Sequence, residues 1–487
     1  MKLRLTVLFI LAPFFTLSCT DILNVEPVSQ ISVESFWESE EDARGGINGM
    51  YTIYRDEISY NLLWWGEARS GTLTFGQQAP EGRERYFQNN LTTNNAGPHW
   101  RGLYWGVHQA NLGIKYIPEI EFNNEDEKNR LLAQAYAMRA HLYYIMARTW
   151  GAAPLVTEPT EGFDPAEVYR HRNSVDEMFD LIKSDIDEAL SLFSSDIIND
   201  SSVWSVPSVN ALKADVYLWT GKRQNGGTSD FETALAAAEE ASQTNANLLD
   251  DFGDIFEFDN KKNEEILFAA HYGRDESGSN YGAEMYIRGD QIPSAAPTDV
   301  QDRLGVGGGL NRVSPAEYLR DQYTEDDLRA EPTFTEVITE GEDGTEEYIT
   351  SVSNKFRGVV EEGSRIFVSD LVIYRYADVL LMIAEAKNAL GQDPTAELNR
   401  VRNRAGLDNY SGAMDQQSLD DAILQERLLE LAHEGKQWWD VVRFGQAFDL
   451  VPSLQDQPQD DCLLLWPLST QTMTLNSQLE QNPCYES

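Results

Sequence analysis

The chain has 487 residues, of which 41% are hydrophobic and 11% aromatic. This composition is typical of a folded protein with a buried core and excludes a disordered or collagen-like chain. The 80 acidic and 38 basic residues give a formal net charge of −42. Because such a charge repels a phosphate backbone and leaves few cations for a basic face, nucleic acid is excluded as a main partner.

The first residues have the pattern of an export signal. Two basic residues precede an apolar run from Leu5 to Phe15, which is too short to cross a bilayer. A small residue and then Cys19 follow, an order that resembles the cleavage site of bacterial lipoproteins, where the new N-terminal cysteine is acylated. We therefore predict a signal peptide over 1–18 and lipidation of Cys19. Ordinary secretion, with Cys19 incidental, is the alternative.

Two further cysteines, Cys462 and Cys484, lie near the C-terminus. An exported protein with a single remaining pair favours a disulfide that closes a C-terminal loop. Two free thiols are the alternative.

Apolar residues recur at helical spacing through much of the chain. Between Glu125 and Trp150 they follow a 4-3-4-3 pattern, with Asn123 or Asn124 as a helix cap and Gly151 as a stop. The same reasoning predicts helices over Ser174–Phe193, Ser208–Thr220, Asp230–Ser242, Tyr374–Leu390, Pro394–Ala405 and Ser418 to about Phe444.

Two helix pairs share a plan that resembles the tetratricopeptide repeat. Small residues in Ala211–Gly221 precede Phe231–Ala238, and a similar pattern in Ala377–Gly391 precedes Ala396–Val401. We expect the alanines to allow close helix packing and Gly221 to form the turn. The fold class is therefore predicted as mainly α, a scaffold of such pairs with a loop-rich half.

Long insertions interrupt the helices. Residues 66–98 are rich in Gly, Asn, Thr and Gln, and residues 272–315 in Gly, Ser, Asp and Pro. Residues 331–370 predict short β-hairpins, with a first turn at Glu342–Gly344. Loops this long are usually functional or disordered.

Five stretches in chain order carry a more specific resemblance. They are Asp21–Pro27 with Phe36–Trp37 and Ala43–Tyr51, Arg139–Val156, Tyr374–Gly406, Glu426–Arg443 and Trp466–Tyr485. Together they resemble the RagB/SusD family of outer-membrane lipoproteins of Bacteroidetes. Two positions depart from the family pattern: Cys484 stands where glycine is common, and His433 where an aromatic residue is usual.

The resemblance implies a nutrient-uptake lipoprotein, anchored by lipid in the outer membrane and exposed at the cell surface. Its implied partners are a SusC-like TonB-dependent transporter, on which it would sit as a lid, and an oligosaccharide or polysaccharide ligand. The alternative is a peptide-binding or scaffold lipoprotein that uses its helical repeats. The implied organisation is a single SusD-like domain over 19–487, with scaffold helices at about 125–245 and 374–445 and binding loops at about 60–105 and 272–370.

Sugars are held by aromatic faces together with amide, guanidinium and acidic groups at their edges. We predict that both loop regions lie on one face of the protein, and that Trp105, Trp219, Trp438 and Trp439 belong to the core. The predicted ligand-binding residues are Trp65, Arg69, Phe75, Tyr86, Asn89, Trp100, Tyr281 and Tyr286.

The sequence does not predict an enzyme or a cofactor. It contains no HExxH, CxxC, GxSxG or P-loop motif, and its six histidines lack metal-ligand spacing. Incidental calcium on acidic loops is the exception that the composition leaves open. Asp378, Glu385, Glu426, Glu430 and Glu434 lie on predicted helices among arginines, so we expect buried ion pairs rather than catalytic acids.

Overall fold

The computed structural model describes residues 36–162, 165–195, 197–275, 278–341 and 343–485. The predicted signal peptide and the predicted lipidation site at Cys19 lie outside the described residues. None of the described helices is long and apolar enough to cross a membrane.

Long helices form the scaffold. In chain order they are α1 (Glu40–Gly66), α2 (Arg101–Tyr116), α3 (Glu125–Trp150), α4 (Val175–Leu192), α5 (Val206–Arg223), α6 (Gly227–Ser242), α7 (Tyr376–Ala389), α8 (Thr395–Arg404), α9 (Gln416–Glu430) and α10 (Gln437–Arg443).

Short helical turns and strands fill the connections. The turns are Glu84–Phe87, Ile117–Glu119, Pro165–Val168, Gly253–Phe256, Phe258–Asn260, Gly282–Met285, Gly289–Gln291, Thr298–Leu304, Glu317–Arg320, Ala330–Thr333, Ala447–Leu450, Asp461–Leu464, Thr470–Leu475 and Pro483–Tyr485. The strands are β1 (Leu73–Phe75), β2 (Ile266–Ala270), β3 (Val313–Pro315), β4 (Phe334–Glu340), β5 (Glu346–Ser353), β6 (Val359–Glu361), β7 (Ser364–Ile366) and β8 (Leu371–Arg375).

Side-chain caps explain where several helices begin. The side chains of Ser39 and Ser174 each accept a hydrogen bond from the third helical N–H of α1 and α4. The backbone N–H of each serine donates to the carboxylate of that third residue, so two otherwise unpaired donors are satisfied. The Asn124 side chain caps α3 and is one of the two caps that the sequence predicts. Asp415 caps α9 by accepting from the backbone N–H of Ser418.

Each long helix from α1 to α7 packs on the next one along the chain. The largest hydrophobic cluster draws side chains from all of them, because small residues such as Ala211, Ala234 and Ala384 bring the axes close together. This arrangement confirms the mainly α fold built from tetratricopeptide-like helix pairs.

The strands connect the insertions to each other and to the scaffold. β1 pairs antiparallel with β3, which brings the first insertion against the second. β4 pairs with β5, and β6 with β7, confirming the predicted hairpins; Glu342 of the predicted turn lies outside the described residues. β2 pairs with β8 directly before α7.

The role predicted for Gly221 is wrong. Helix α5 continues through this residue to Arg223. A Cβ atom at Gly221 would lie 2.4 Å from the ring of Phe231, so the glycine allows α6 to approach closely instead of forming the turn. The turn itself contains Asn225 and Gly227, which both have positive φ angles.

The single helix predicted from Ser418 to about Phe444 is also wrong. The structure has two helices there, α9 and α10, separated by residues 431–436. His433 and Gly435 have φ angles of +68° and +72°, which a right-handed helix cannot accommodate. Apolar periodicity continues across the break, and so it does not reveal the break.

The acidic residues of α7, of α9 and of the segment directly after α9 form buried ion pairs with arginines, as predicted. Arg375 bonds the carboxylates of Glu434 and Glu265 at 3.0 and 2.8 Å. Arg443 binds both oxygens of Glu385. The cavity beside this network has a volume of about 30 Å³, room for about one water molecule, so the network holds the scaffold together and does not form a ligand site.

The C-terminal cysteines are joined in the structure. Cys462 and Cys484 form a disulfide with a Cα–Cα distance of 5.8 Å, within the usual range for such bonds. The bond closes the segment between the Asp461–Leu464 turn and the Pro483–Tyr485 turn.

We expect the double variant Cys462→Ser/Cys484→Ser to fold and to lose about 2 to 3 kcal/mol of unfolding free energy, since the bond restricts the unfolded chain across 22 residues. Denaturant titration of both proteins measures this loss. As a control, alkylation of the wild type should add mass at these two cysteines only after reduction. Alkylation without reduction would contradict the disulfide.

Candidate ligand-binding grooves

Four of the predicted binding residues are buried and bonded inside the protein. Trp65 donates to the carbonyl of Pro98, and its ring packs on Trp150. The Tyr281 and Tyr286 hydroxyls donate to the carbonyls of His433 and Leu304. These side chains are at most 1% exposed, so they belong to the core and do not contact a ligand.

Arg69 is the fourth predicted binding residue that is buried and bonded inside the protein. Its guanidinium donates to the carbonyls of residues 463–465 and lies 4.2 Å from the centre of the Trp438 ring. Asn89 accepts a hydrogen bond from Arg69 and donates to its carbonyl. Both residues therefore attach the first insertion to the C-terminal segment.

The other three predicted residues differ in exposure. Phe75 is 44% exposed beside Phe87, at the edge formed by β1. Tyr86 and Trp100 are largely buried but line two neighbouring grooves. The first insertion therefore contributes to the candidate site, although most of the lining residues differ from the predicted ones.

An aromatic stack supports the first groove. The Tyr86 ring lies between Trp64 and Trp466, with ring centres 4.7 and 5.6 Å away. Gly97 crosses this stack with a φ angle of +79°, and a Cβ atom there would lie 2.6 Å from Trp466. Glycine is required at this position because both the angle and the space exclude a side chain.

We call this first groove the polar groove; its volume is about 630 Å³. Arg83 stacks 4.2 Å above the Trp64 ring, and Arg85 lies 4.7 Å from the Tyr86 ring centre. Stacking orients the planar guanidinium groups, and each also donates to a tyrosine hydroxyl, Arg83 to Tyr60 and Arg85 to Tyr86; the remaining N–H groups can bind oxygen. Its lining includes Glu57, Tyr60, Asn61, Glu81, Arg83, Arg85, Tyr86, Asn94, Asn95, His99, Ser469 and Gln471.

The carboxyl group of Glu57 lies in the polar groove and differs electrostatically from an ordinary surface acid. Burial raises its pKa to about 7, although a hydrogen bond from Asn61 and the charge of Arg101 favour the ionised form. The group is therefore substantially neutral at and below pH 7. This limits how far it cancels the positive charge of the neighbouring arginines.

The second groove begins where the polar groove ends. We call it the aromatic groove; its volume is about 270 Å³, and it shares His99 and Gln471 with the polar groove. Its lining is Trp100, Arg101, Tyr104, Trp105, Pro154, Val156, Val168, Arg170, Thr472, Leu475, Asn476 and Leu479, with His99 and Gln471.

The prediction that Trp105 belongs to the core is wrong: its side chain is 54% exposed. Helix α2 turns its small residues toward its neighbours, since a Cβ atom at Gly102 would meet Glu57 and one at Gly106 would meet Leu142. Trp105 lies off this stripe. The spacing of Gly102, Gly106 and Gly113 is the sequence signal that could have identified its exposure. Trp219, Trp438 and Trp439 are buried, as predicted.

One cluster among the described residues has metal-ligand atoms close enough to share an ion, and it contains Asp460, Cys462 and Cys484. Sulfurs bonded to each other are not available as thiolate ligands. The grooves instead offer guanidinium, amide, hydroxyl and aromatic groups, which suit reversible binding of a polar ligand.

Comparisons with known proteins agree with this architecture. The model of the SusD family matches residues 343–461, and a model described as starch-binding associating with outer membrane matches residues 23–218. SusD-like protein P38 of Formosa agariphila is 28% identical, with 96% of each chain covered.

Solved structures extend the likeness to the whole fold. NanU of B. fragilis superimposes with a TM-score of 0.86 at 30% identity, covering 95% of this chain and 100% of its own. A laminarin-binding SusD-like protein shares the fold with a TM-score of 0.75 at 24% identity, covering 92% of this chain and 100% of its own. The chain belongs to the SusD family.

Proposed function

We propose that this protein is a surface glycan-binding lipoprotein that captures oligosaccharides for uptake across the outer membrane. The polar groove is the observation that carries the proposal. It combines stacked guanidinium groups with amides and hydroxyls in a volume of about 630 Å³, a size that suits a ligand of several rings. A relative with the same fold binds laminarin, which supports a glycan as the ligand class.

The proposal includes a lipid anchor at Cys19 and a SusC-like TonB-dependent transporter as partner. A lid on such a transporter needs to bind its ligand without converting it, and non-covalent contacts in an open groove serve that purpose. Co-purification of the transporter with the tagged protein from membranes tests the partnership. Mass spectrometry of the mature N-terminus tests the acylation of Cys19.

Glycan binding is tested by titrating the soluble chain, without its signal peptide, against a panel of neutral and acidic polysaccharides. We expect binding to at least one glycan, no release of reducing sugar, and weaker binding by Asn95→Ala, which removes an exposed amide from the polar groove. Binding of a peptide pool with no glycan binding would contradict the proposal and would favour a peptide-binding lipoprotein.

A further inference from the structure

Three arginines of the grooves, Arg83, Arg85 and Arg101, have no ion pair with a carboxylate in the described part of the chain. Among the described residues, none of Arg83, Arg85 and Arg101 lies within 4 Å of a carboxylate oxygen, whereas the exposed arginines Arg288 and Arg303 are both paired. The chain has about two acids for each base, so carboxylate partners are plentiful, although the exposed Arg400 also has none and bonds the Tyr376 hydroxyl instead. Three unpaired guanidinium groups in adjoining grooves indicate a site for an anionic ligand.

The three arginines also share one geometry. Each stacks on an aromatic ring, at 4.2 Å for Arg83 over Trp64, 4.7 Å for Arg85 over Tyr86 and 4.6 Å for Arg101 over Trp105. A stacked guanidinium is fixed before the ligand arrives, and its N–H fork matches the paired oxygens of a carboxylate or sulfate.

The acidic groups around the grooves oppose this charge only weakly. Burial raises the pKa of Glu57 to about 7, so about half of this group is neutral at pH 7. Glu284 of the second insertion bonds Arg312 at 3.0 Å, although its charge also interacts with Arg83. Glu81 is exposed at the rim of the polar groove, where water and salt screen it.

The aromatic groove supplies a different kind of contact. Trp105 offers a large apolar surface beside Pro154 and Val156, while Gln471 and Thr472 supply polar edges. A sugar ring has this same combination of an apolar C–H face and hydroxyl edges. His99 lies at the junction of the grooves, and its Nδ1 has no hydrogen-bond partner in the described part of the chain.

We propose that one acidic oligosaccharide occupies both grooves. Its carboxylate or sulfate group binds Arg83 and Arg85 in the polar groove, and a following sugar unit stacks on Trp105 in the aromatic groove. The inference rests on the proposed glycan-binding function and deepens it: the ligand is anionic and long enough to cross the junction at His99.

The test is calorimetric titration of the chain without its signal peptide. The probes are oligogalacturonates, alginate oligomers and sulfated galactan oligomers, each as dimers and hexamers, beside neutral laminari- and xylo-oligosaccharides of the same lengths. We expect an acidic hexamer to bind best, and its affinity to fall as NaCl rises from 50 to 500 mM because salt screens the arginines.

Variants separate the two grooves. Arg83→Ala/Arg85→Ala should weaken binding of acidic dimers and hexamers roughly a hundredfold, since two charged hydrogen-bonding groups are lost. Trp105→Ala should weaken hexamers roughly tenfold and leave dimers unchanged. Arg130→Ala on α3 and the exposed Met414→Ala are matched controls that should bind as the wild type does.

The results of these titrations test the anionic ligand separately from the proposed glycan-binding function. Binding of neutral glycans alone keeps the glycan-binding function and overturns the anionic ligand. If Trp105→Ala weakens the binding of dimers and hexamers equally, or leaves hexamer binding unchanged, the placement across both grooves is overturned. Absence of binding to every glycan in the panel by the folded protein overturns both.

Discussion

Replacing Arg375 with alanine is expected to lower the free energy of unfolding by at least about 3 to 5 kcal/mol. This guanidinium is fully buried and contacts the equally buried carboxylates of Glu265, Glu430 and Glu434. Its removal takes one cationic partner from each of these charges in a medium that solvates them poorly. A loss of that size is comparable to the whole stability of many proteins.

The Arg375 site links three parts of the fold. Glu265 precedes β2, Arg375 ends β8, and Glu430 and Glu434 lie at the end of α9 and just beyond it. Arg375 Nη2 also donates to the backbone carbonyl of Glu430 at 2.6 Å. The alanine variant therefore loses the contact that fixes the β2–β8 pair against the last scaffold helices.

Urea titration followed by circular dichroism measures the effect. Arg400→Ala is a matched control on α8, because this arginine is exposed and its hydrogen bond is with the hydroxyl of Tyr376; we expect a change within about 0.5 kcal/mol. Arg375→Lys should fall between the two, since a lysine cannot bind two carboxylates with a planar fork. Wild-type stability in Arg375→Ala would show that the network is not essential.

The buried ion pairs of the scaffold should make the stability of the protein depend on pH in acid. The positive charges of Lys436 and Arg427 hold the pKa of Asp378 below its usual range, and Arg404, Arg375 and Arg329 do the same for Glu430, in both cases against the cost of burial. A carboxyl with a lowered folded-state pKa contributes stability above its unfolded pKa and loses it as the pH falls. These two groups should therefore make the protein increasingly unstable as the pH drops below about 4.

The helical regions were predictable because apolar spacing, caps and small residues within each segment indicate a helix. The apolar spacing and the cap at Asn124 give the bounds of α3, and the small residues of α5 to α8 indicate close helix pairs. The break between α9 and α10 was not predictable by these means. Its positive φ angles at His433 and Gly435 depend on Glu67, a residue that is distant in sequence and accepts hydrogen bonds from both backbone N–H groups.

The binding residues were harder to predict for a related reason. An ordered insertion needs an apolar core of its own, so aromatic residues in a loop are as available for packing as for a ligand. Tyr86 and Tyr281 serve the core, whereas Trp105 on a helix is exposed. An aromatic side chain is buried where another helix or loop covers it and exposed where none does. Which surfaces are covered depends on contacts between distant parts of the chain.

Replacing Glu67 with leucine is the other change for which we expect a large effect, a loss of more than about 3 kcal/mol of unfolding free energy. Glu67 directly follows α1 and is fully buried. One carboxyl oxygen accepts from the N–H of His433 at 3.1 Å, and the other accepts from those of Gly435 and Lys436, both at 3.2 Å. Leucine fills similar space but leaves these donors unsatisfied.

The same carboxyl group holds the start of the first insertion. It accepts from the Thr72 hydroxyl at 3.0 Å, and the Thr72 carbonyl accepts from the N–H of Ala316 beside β3. The leucine variant should therefore loosen the join between the two insertions as well as the α9–α10 connection. Hydrogen exchange at Ala316 and Gly435 should increase more than exchange in α3.

Glu67→Gln separates the hydrogen bonds from the charge. Glutamine keeps one acceptor oxygen and the shape of the side chain, so Glu67→Gln should lose less unfolding free energy than Glu67→Leu.

Burial raises the pKa of Glu67 to about 7, and a raised folded-state pKa gives stability that is complete below the unfolded pKa and declines as the pH rises through 7. The advantage of the wild type over Glu67→Gln should consequently be greater at pH 5 than at pH 8 in urea titrations. An advantage that grows with pH would instead mean that the backbone N–H groups hold Glu67 as a carboxylate throughout this range.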